Sequence, residues 1–579
     1  MCGIVGYAGR RKAAPLIVDG LRRLEYRGYD SFGVATVGPH VEVYKRCGRI
    51  PASLPESRAM KGSLGIGHTR WATHGAPSDT NAHPHTDCTG RIAVVHNGII
   101  ENYASLRKRL GRKGHTFRSE TDTEVIAHLI EEEYDGDLLG AVEGAVKSLE
   151  GSYAILAVAE GDRRIVAARC ASPLVLGLGD GETLAASDLT PLLEYTERVI
   201  FAEDGDIIAI TPQGAEIRNN GEAVERPVEL VNWCADDVKK GGFEHFMLKE
   251  IYEQPRVFYE TARTADPAPL LDLLRETPAL TIVACGTSYH AGLIGMYLLE
   301  EFAEIPVRVE LASEFRYAVP PVRNPVLAIT QSGETADTLW ALRAAKARNC
   351  PTVALTNVMG STVTRLADAA IFTRAGPEVG VAATKSFIAQ LAVFLALADR
   401  LGQGRLAASL GNAHLAIGDL LREDVGEAVA LLRGARSIFY VGRGPFYPVA
   451  LEGALKMKEI SYIHAEGYAA GELKHGPFAL LTPETPVVAL CFPGPAYRVM
   501  ISNIKEMKAR GAPVLGIGVP GDRELGEVVD LFLPVPGDDP VVQVLTSSVL
   551  VQLLAYHTAK SLETDIDRPR NLAKSVTVE

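Results

Sequence analysis

A thiol one residue from the start of the chain is the first group able to do chemistry. Cys2 follows Met1. Removal of Met1 leaves a cysteine carrying its own α-amino group, whose usual pKa of about 7.7–8.0 keeps part of it neutral at pH 7. Such an amine can take the proton of its own side chain, as N-terminal threonine nucleophiles do. Position alone favours the plainer reading, a cysteine buried in a first strand. Three further segments supply what a thiol nucleophile needs. Arg70 lies in HisThrArgTrpAlaThrHisGly (68–75), and an arginine fork recognises a carboxylate bidentately. Asn97 and Gly98 follow the apolar run IleAlaValVal and can offer an amide and a backbone N–H to an oxyanion. Asp122, in GluThrAspThrGlu (120–124), can hold an ammonium. A carboxylate fork, an acid and oxyanion donors around a thiol suit an α-amino acid with a side-chain amide, glutamine. His74, His83, His85 and His96 lack HExxH or paired Cys/His spacing, and Pro84 interrupts them, so no metal is expected there.

A second set of residues suits a sugar phosphate. CysGlyThrSerTyr (285–289) and ThrGlnSerGlyGluThr (330–335) each follow an apolar strand and precede a helical pattern. Hydroxyls and free N–H groups at a helix N-terminus cradle phosphate without a cation. Ordinary capping explains one such loop equally well. Two at the carboxyl ends of neighbouring parallel strands point to a ligand, because open α/β sheets bind there. Neither loop is GxGxxG or a Walker sequence, so dinucleotide and ATP readings are weak.

A third set is suited to proton transfer. Glu452, Lys456 and Glu459 fall at i, i+4 and i+7 of a helical pattern, on one stripe. Composition alone favours a surface ladder of salt bridges. His475 lies in the Gly-rich stretch that follows, and the final residues ArgProArgAsnLeuAlaLysSerValThrValGlu (568–579) place Lys574 near the end. An aldose–ketose isomerase needs a carboxylate to move a proton between C1 and C2 and a group to open the ring. A lysine that loses its proton in a dry site can form a Schiff base with a ketose carbonyl.

Two styles of sequence must position these groups. Residues up to about 225 carry short β-like runs between Gly, Asp and Pro turns, with helical stretches at Leu16–Leu24, Tyr103–Leu110 and Thr123–Glu132. That predicts an α+β domain with antiparallel sheets. A polar, turn-rich boundary runs from Thr211 to about Gly242. Beyond it, strands alternate with Ala/Leu-rich helices, the rhythm of a parallel sheet covered on both faces. This half repeats itself. Arg348–Leu355 matches Arg510–Ile517, Asp368 matches Asp530 and Gln390-Leu391 matches Gln552-Leu553, all 162 residues apart. A period this long means a duplicated domain. The second copy reads ValGlyArgGlyProPhe and LeuCysPheProGly where the first has its Ser/Thr loops, so only the first is expected to hold phosphate.

Composition bounds the rest. The 579 residues carry 59 Lys and Arg against 71 Asp and Glu, a formal charge of −12. That argues against a general nucleic-acid binder, which needs a basic face. Hydrophobic residues make up 47% and charged residues 22%, which excludes a largely disordered chain. The eight cysteines include no CxxC and are too sparse for a disulfide scaffold, which reads as a reducing, cytoplasmic protein. The N-terminus lacks a signal-peptide pattern. The longest apolar runs, Phe387–Ala398 and Val549–Tyr556, fall short of a membrane span and read as buried helices.

The motifs CysGlyIleValGly, GluTyrArgGlyTyrAspSer (25–31), HisThrArgTrpAlaThrHisGly, HisAsnGlyIleIleGluAsn and SerGluThrAspThrGlu resemble the class II (N-terminal-nucleophile) glutamine amidotransferases. The resemblance implies Cys2 as the nucleophile, Arg70 and Asp122 on the glutamine carboxylate and amine, and Asn97 and Gly98 on the oxyanion. It places Trp71, Thr73 and His74 along the site or the ammonia path. The Ser/Thr loops resemble the sugar-isomerase (SIS) domain, in tandem. That assigns phosphate to Ser288, Gln331, Ser332 and Thr335, with help from Thr287 and Thr330, and puts Val381, Ala382 and Ala573 near the sugar.

LeuGluGlyAlaLeuLysMetLysGluIleSerTyrIleHisAlaGlu, GlyGluLeuLysHisGlyPro and the final residues closely resemble the glutamine–fructose-6-phosphate aminotransferases (isomerising), over essentially the whole chain. Thr330 and Ala383 stand where that family commonly has serine. The implied layout is an amidotransferase domain at 2–225, a linker at 226–267, doubly wound SIS lobes at 268–410 and 428–565, and a tail at 566–579 closing the second site. The implied roles are Glu459 as isomerisation base, His475 as ring-opening group, Lys574 as Schiff-base lysine and Lys456 as supporting cation. The family takes its histidine from the neighbouring subunit, which implies a homodimer, and the reaction opens amino-sugar biosynthesis. No cofactor, metal, nucleic acid or membrane is expected. Two rival readings remain: the same build acting on another phosphosugar, such as a deglycase, and a non-catalytic SIS sensor, which should lack Cys2, Glu459 and Lys574.

Overall fold

Alternation along the strand Ile92–Ile100 explains how the first half is layered, since successive side chains of a strand face opposite ways. Ile92, Val94 and Ile100 pack with Val125, Ile126 and Leu129 of the helix Glu124–Glu133 and with Leu139 and Val142 of the helix Leu138–Val146. Ala93 and Val95 point the other way, into a cluster with Ile4, Ile66 and Leu176. Those partners belong to an eight-stranded sheet, whereas Ile92–Ile100 belongs to a seven-stranded one. The two sheets therefore pack face to face. Neighbouring strands in both run antiparallel, as the sequence predicts. The helix Ala13–Arg23 covers the outer face of the larger sheet. Gly67 makes room for it, because a Cβ there would lie 2.3 Å from Ile17 Cγ2.

The computed structural model describes residues 2–72, 74–231, 239–317 and 323–576. The chain divides into two compact units, Met1–Lys239 with Ser575–Glu579, and Lys240–Lys574. The polar stretch read as a boundary is structured at its start. Gly214–Asn219 pairs with Asp206–Thr211 as a hairpin that extends the seven-stranded sheet. Its alternating GlyAlaGluIleArgAsn leaves only Ile217 for the core, so the apolar signal of a strand is faint. Of the stretch read as a linker, 232–238 lie outside the described residues. The helix Phe246–Thr264 follows, with Met247, Ile251 and Phe258 buried in the core of the second unit.

The second unit holds two five-stranded parallel sheets. In the first the order is Val307–Leu311, Leu280–Ala284, Val326–Thr330, Thr352–Thr356, Ala369–Phe372. In the second it is His464–Ala469, Ser437–Gly442, Val487–Leu490, Val514–Gly518, Leu531–Pro534. Both orders are 2-1-3-4-5, the doubly wound pattern the repeat predicts. The repeated aspartate does the same work in each. Asp368 Oδ2 accepts from Thr352 N at 2.9 Å and Asp530 Oδ2 from Val514 N at 2.7 Å. Lys346 and Lys508, also 162 residues apart, pair with the other oxygen. The two apolar runs are the buried helices Lys385–Leu401 and Pro540–Ser561. The latter is long and apolar enough to cross a membrane, yet 94% of its most apolar 18-residue window is buried within this fold.

Candidate active sites

The first site forms where strands Gly3–Ala8 and Leu64–Arg70 end. Their register pairs Gly3 with Thr69, which carries Cys2 to the start of the loop after Arg70. Cys2 Sγ accepts from Trp71 N at 3.2 Å. Burial pushes the thiol pKa up, while the Trp71 N–H and the Arg70 charge pull it down. Asn97 Nδ2 donates to the Cys2 carbonyl at 3.0 Å. His68 Nε2 sets that amide's orientation by donating to Asn97 Oδ1 at 3.1 Å and to His96 O at 3.0 Å. Gly98 has φ +127°, and a Cβ on it would lie 2.0 Å from Ser152 O. Only glycine fits at this position next to Asn97.

Arg70 and Asp122 flank the thiol closely enough for both charges to act on it. Arg70 is buried. Its Nη2 donates to the His74 and Gly75 carbonyls, while its buried Nη1 has no hydrogen-bond partner among the described residues. A buried guanidinium nitrogen without a partner is costly, and a ligand carboxylate is one group that could satisfy it. Asp122, also buried, accepts from Ile100 N at 2.9 Å through Oδ2. Trp71 meets Tyr29 edge-on at 5.8 Å, and His74 meets Tyr103 at 5.2 Å. Thr73 lies outside the described residues. His68, which holds the Asn97 amide in place, is not singled out by sequence reasoning. It stacks on His83 at 4.0 Å, and His83 meets His85 at 4.8 Å. Burial pushes all three pKa values down, His85 to about 3, so they stay neutral.

The second site lies at the carboxyl ends of the first parallel sheet. Thr330, at the end of its strand, shares a hydrogen bond with Thr335 at 3.0 Å and accepts from Gly333 N at 3.2 Å. Ser332 accepts from Glu334 N at 3.1 Å. Gly333 has φ +71°, and a Cβ would lie 2.0 Å from Ser361 Oγ. This tight turn puts the Ser332–Thr335 hydroxyls at the start of the helix Ala336–Ala347. Gln331 follows Thr330, its carbonyl accepting from Asn357 N at 3.3 Å. On the neighbouring strand, Gly286 (φ +54°) opens the helix Gly286–Ala303. Ser288 Oγ there accepts from Gln390 Nε2 at 3.0 Å.

The acid–base stripe is buried, not a surface ladder. Glu452 and Lys456 are fully buried on the helix Phe446–Ser461, and Glu459 is partly open. Lys456 Nζ lies 2.5 Å from Glu459 Oε2, 3.5 Å from Glu452 Oε1 and 3.0 Å from Thr287 Oγ1. Thr287 also donates to Glu452 at 3.1 Å, and His290 pairs with Glu452 Oε2 at 2.7 Å. Thr287 thus bridges the first lobe's loop to the second lobe's helix. Burial pushes Lys456 down, but Glu459 and Glu452 outweigh it and hold the ammonium charged.

The final residues are anchored by specific contacts. Asp567 accepts from Phe246 N and Met247 N, both at 3.0 Å, and so caps the helix Phe246–Thr264. Arg570 N donates to Tyr462 Oη at 2.8 Å, and its guanidinium lies 4.3 Å from that ring centre. Ala573 and Lys574 follow. Lys574 is nearly buried, with Nζ 2.5 Å from Glu378 Oε2. Burial works against the Glu378 carboxylate, but the Lys574 charge and the N–H groups of Ser386 and Thr384 bring its pKa to about 2. Glu250 next to it is pushed up to about 7 by burial and by the Glu378 charge. Val381 and Ala382 are buried, and Val381 N donates to Asp567 O at 3.2 Å. Sequence reasoning missed His290, Glu378 and Glu250, which stand alone without a motif. His475 is not gathered with these groups. It is exposed at the end of the short helical segment Ala470–His475.

These are the sites of an amidotransferase joined to a sugar-phosphate isomerase. The glutamine amidotransferase domain family matches residues 68–194, and the SIS domain family matches 273–400 and 431–561. The chain is 49% identical to a glutamine–fructose-6-phosphate aminotransferase (isomerising) of Thermus thermophilus and 50% identical to that of Symbiobacterium thermophilum. Both comparisons cover 100% of each chain. A solved C-terminal domain of glucosamine-fructose-6-phosphate aminotransferase from Francisella tularensis is 36% identical with a TM-score of 0.53, covering 57% of this chain and 99% of that one. The chain belongs to the family of the glutamine–fructose-6-phosphate aminotransferases (isomerising).

Proposed function

We infer that the chain converts fructose 6-phosphate and glutamine to glucosamine 6-phosphate and glutamate. The observation that carries this reading is a pair of buried lysines, Lys456 and Lys574, each held against carboxylates in the unit that also carries the hydroxyl loops. A sugar-phosphate sensor has no use for them.

In the first unit, the Cys2 thiolate attacks the glutamine amide carbon. The C–N bond breaks and ammonia leaves; water then hydrolyses the thioester to glutamate. The α-amine of Cys2, exposed once Met1 is removed, takes the thiol proton. Asn97 Nδ2 and the Gly98 N–H stabilise the oxyanion. Arg70 Nη1 takes the glutamine carboxylate and Asp122 the ammonium, with Trp71, Thr73 and His74 around them. In the second unit, Thr287, Ser288, Thr330, Gln331, Ser332 and Thr335 hold the phosphosugar, with Val381, Ala382 and Ala573 beside it. His475 of the partner subunit opens the ring, which makes a homodimer the working form, and the reducing setting is the cytoplasm. Lys574 condenses with the C2 carbonyl and ammonia displaces it. Glu459 removes the C1 proton and returns it at C2, with Lys456 stabilising the charge that develops.

The test measures glutamate and glucosamine 6-phosphate together, beside Cys2→Ala supplied with ammonium. Equal yields, with Cys2→Ala silent on glutamine yet active on ammonium, are expected. Glutamate without amino sugar from fructose 6-phosphate would overturn the substrate. Neither product would leave the sensor reading standing.

A further inference from the structure

The four histidines weighed for metal in the sequence do not converge on a ligand set, but a different group in the same unit does. Cys88 Sγ, His115 Nδ1, His128 Nδ1 and one oxygen of Glu131 all lie within 4.8 Å of one another. The residues come from three places: the turn between strands His85–Thr86 and Ile92–Ile100, the loop after the helix Tyr103–Arg112, and the helix Glu124–Glu133. Only His128 and Glu131, at i and i+3, are neighbours in sequence. We propose that these four side chains form a structural zinc site in the amidotransferase unit.

The distances carry the proposal. A tetrahedral zinc with bonds of about 2.3 Å to sulfur and about 2.0–2.1 Å to nitrogen sets S···N edges of about 3.5 Å and N···N edges of about 3.4 Å. Cys88 Sγ is 3.6 Å from His115 Nδ1 and 3.5 Å from His128 Nδ1, and the two nitrogens are 3.3 Å apart. Glu131 Oε2 is 2.9 Å from His115 Nδ1 and 3.1 Å from His128 Nδ1, short of an ideal edge by roughly 0.3–0.5 Å. Hydrogen bonds explain this arrangement less well. Each ring nitrogen carries one proton or one lone pair, yet each faces the thiol, the carboxylate and the other nitrogen together. One cation satisfies all four atoms.

The surroundings fit a closed structural site. The Thr116 backbone N–H approaches the Cys88 sulfur. The remote nitrogen of each histidine faces a further carboxylate, His128 Nε2 towards Glu124 at 3.8 Å and His115 Nε2 towards Glu132 at 3.6 Å. Carboxylates behind metal-bound histidines orient the ring and strengthen the ligand. His128 is buried, whereas Cys88, His115 and Glu131 are partly open, which gives an ion a way in. A thiolate, two imidazoles and one carboxylate are a donor set for zinc, not for magnesium or calcium. The site ties His115 and His128 together across the segment that carries Asp122.

The full-length protein, loaded with zinc and then dialysed, is expected to retain about one zinc per chain by mass spectrometry of the metal. Loaded with cobalt, it should show the visible bands of a tetrahedral site and a thiolate charge-transfer band. Cys88→Ser and His115→Gln should each abolish that band and lower bound zinc at least about tenfold, with far-UV circular dichroism unchanged. Cys2→Ser should keep both signals. Failure of the loaded wild-type chain to retain zinc overturns the proposal. So does zinc that survives in Cys88→Ser and His115→Gln, or that disappears in Cys2→Ser.

Discussion

The two lobes of the second unit share a frame and differ in what they place on it. Both have the strand order 2-1-3-4-5 and a left-handed glycine at the first turn, Gly286 at φ +54° and Gly444 at φ +57°. At the second turn the first lobe has Ser332 and Thr335, while the second has Pro493 and Ala496 161 residues on. Phe446 stacks on Phe492 at 4.3 Å beside that turn. The second lobe instead donates Glu452, Lys456 and Glu459 from the helix behind its first turn. On the proposed function, duplication has been followed by division of labour: one copy would hold hydroxyls for the phosphate, the other the charges that move protons.

Substitutions on the proton-moving side should act on kcat. Lys574→Ala and Glu459→Gln are each expected to lower amino-sugar formation by about 10²–10⁴-fold with little change in the KM for fructose 6-phosphate. Glutamine hydrolysis should persist. A rise in KM with kcat retained would show that these groups bind the sugar, and the division would fail. On the phosphate side, Ser332→Ala should raise KM by about tenfold or more, because a hydrogen bond to a charged group contributes about 1.5–3 kcal/mol, and kcat should hold. Pro493→Ala, its counterpart, should leave both constants unchanged.

Much of this contrast was legible in the sequence, and the reasons are local. A loop that follows a strand and opens a helix declares its hydroxyls by position, so Ser288, Ser332 and Thr335 could be read directly. The stripe Glu452–Lys456–Glu459 was legible as a periodicity, but its burial was not, because Thr287 and His290 arrive from more than 160 residues away. Lys574 could be named from lysine chemistry, but its burial could not be read, since Asp567 and Arg570 anchor its segment by contacts that leave no pattern in sequence. The Cys88 cluster escaped because its ligands stand 27, 13 and 3 residues apart. The hairpin at 214–219 escaped because its strand spends just one residue on the core.

A repeated glutamine shows what the second lobe gave up. Gln390 donates to Ser288 at 3.0 Å. Its counterpart Gln552 is fully buried, and neither amide atom has a hydrogen-bond partner among the described residues. A buried amide without partners costs about 1–3 kcal/mol. Gln552→Met should therefore raise the melting temperature, by up to a few degrees for about 1 kcal/mol in a unit this large. Gln390→Met should lower it and raise KM, because it strips Ser288 of its partner. Destabilisation by both would mean that Gln552 still has work in the second lobe.

The smallest expected difference concerns the feature the lobes keep in common. Asp368 and Asp530 each accept a backbone N–H from the neighbouring strand and pair with a lysine. Burial works against both carboxylates, but the lysines and the N–H donors outweigh it and hold both pKa values below the usual range. A depressed carboxylate contributes stability that is present above its unfolded pKa, about 3.9, and is lost as pH falls below it. Asp→Asn should remove this acid dependence in either lobe. The cost at neutral pH should be about 1 kcal/mol each, since the lysine pairs are half-exposed and contribute little. The costs should not be quite equal. Thr352 adds a hydroxyl that donates to Asp368 Oδ2 at 2.6 Å and accepts from Asp368 N at 3.1 Å, whereas Val514 has no hydroxyl to give. Asp368→Asn should therefore exceed Asp530→Asn by about 0.5–1 kcal/mol in urea unfolding, and Thr352→Val should erase the excess. An excess that survives Thr352→Val would mean that the two aspartates anchor their sheets differently despite the shared register.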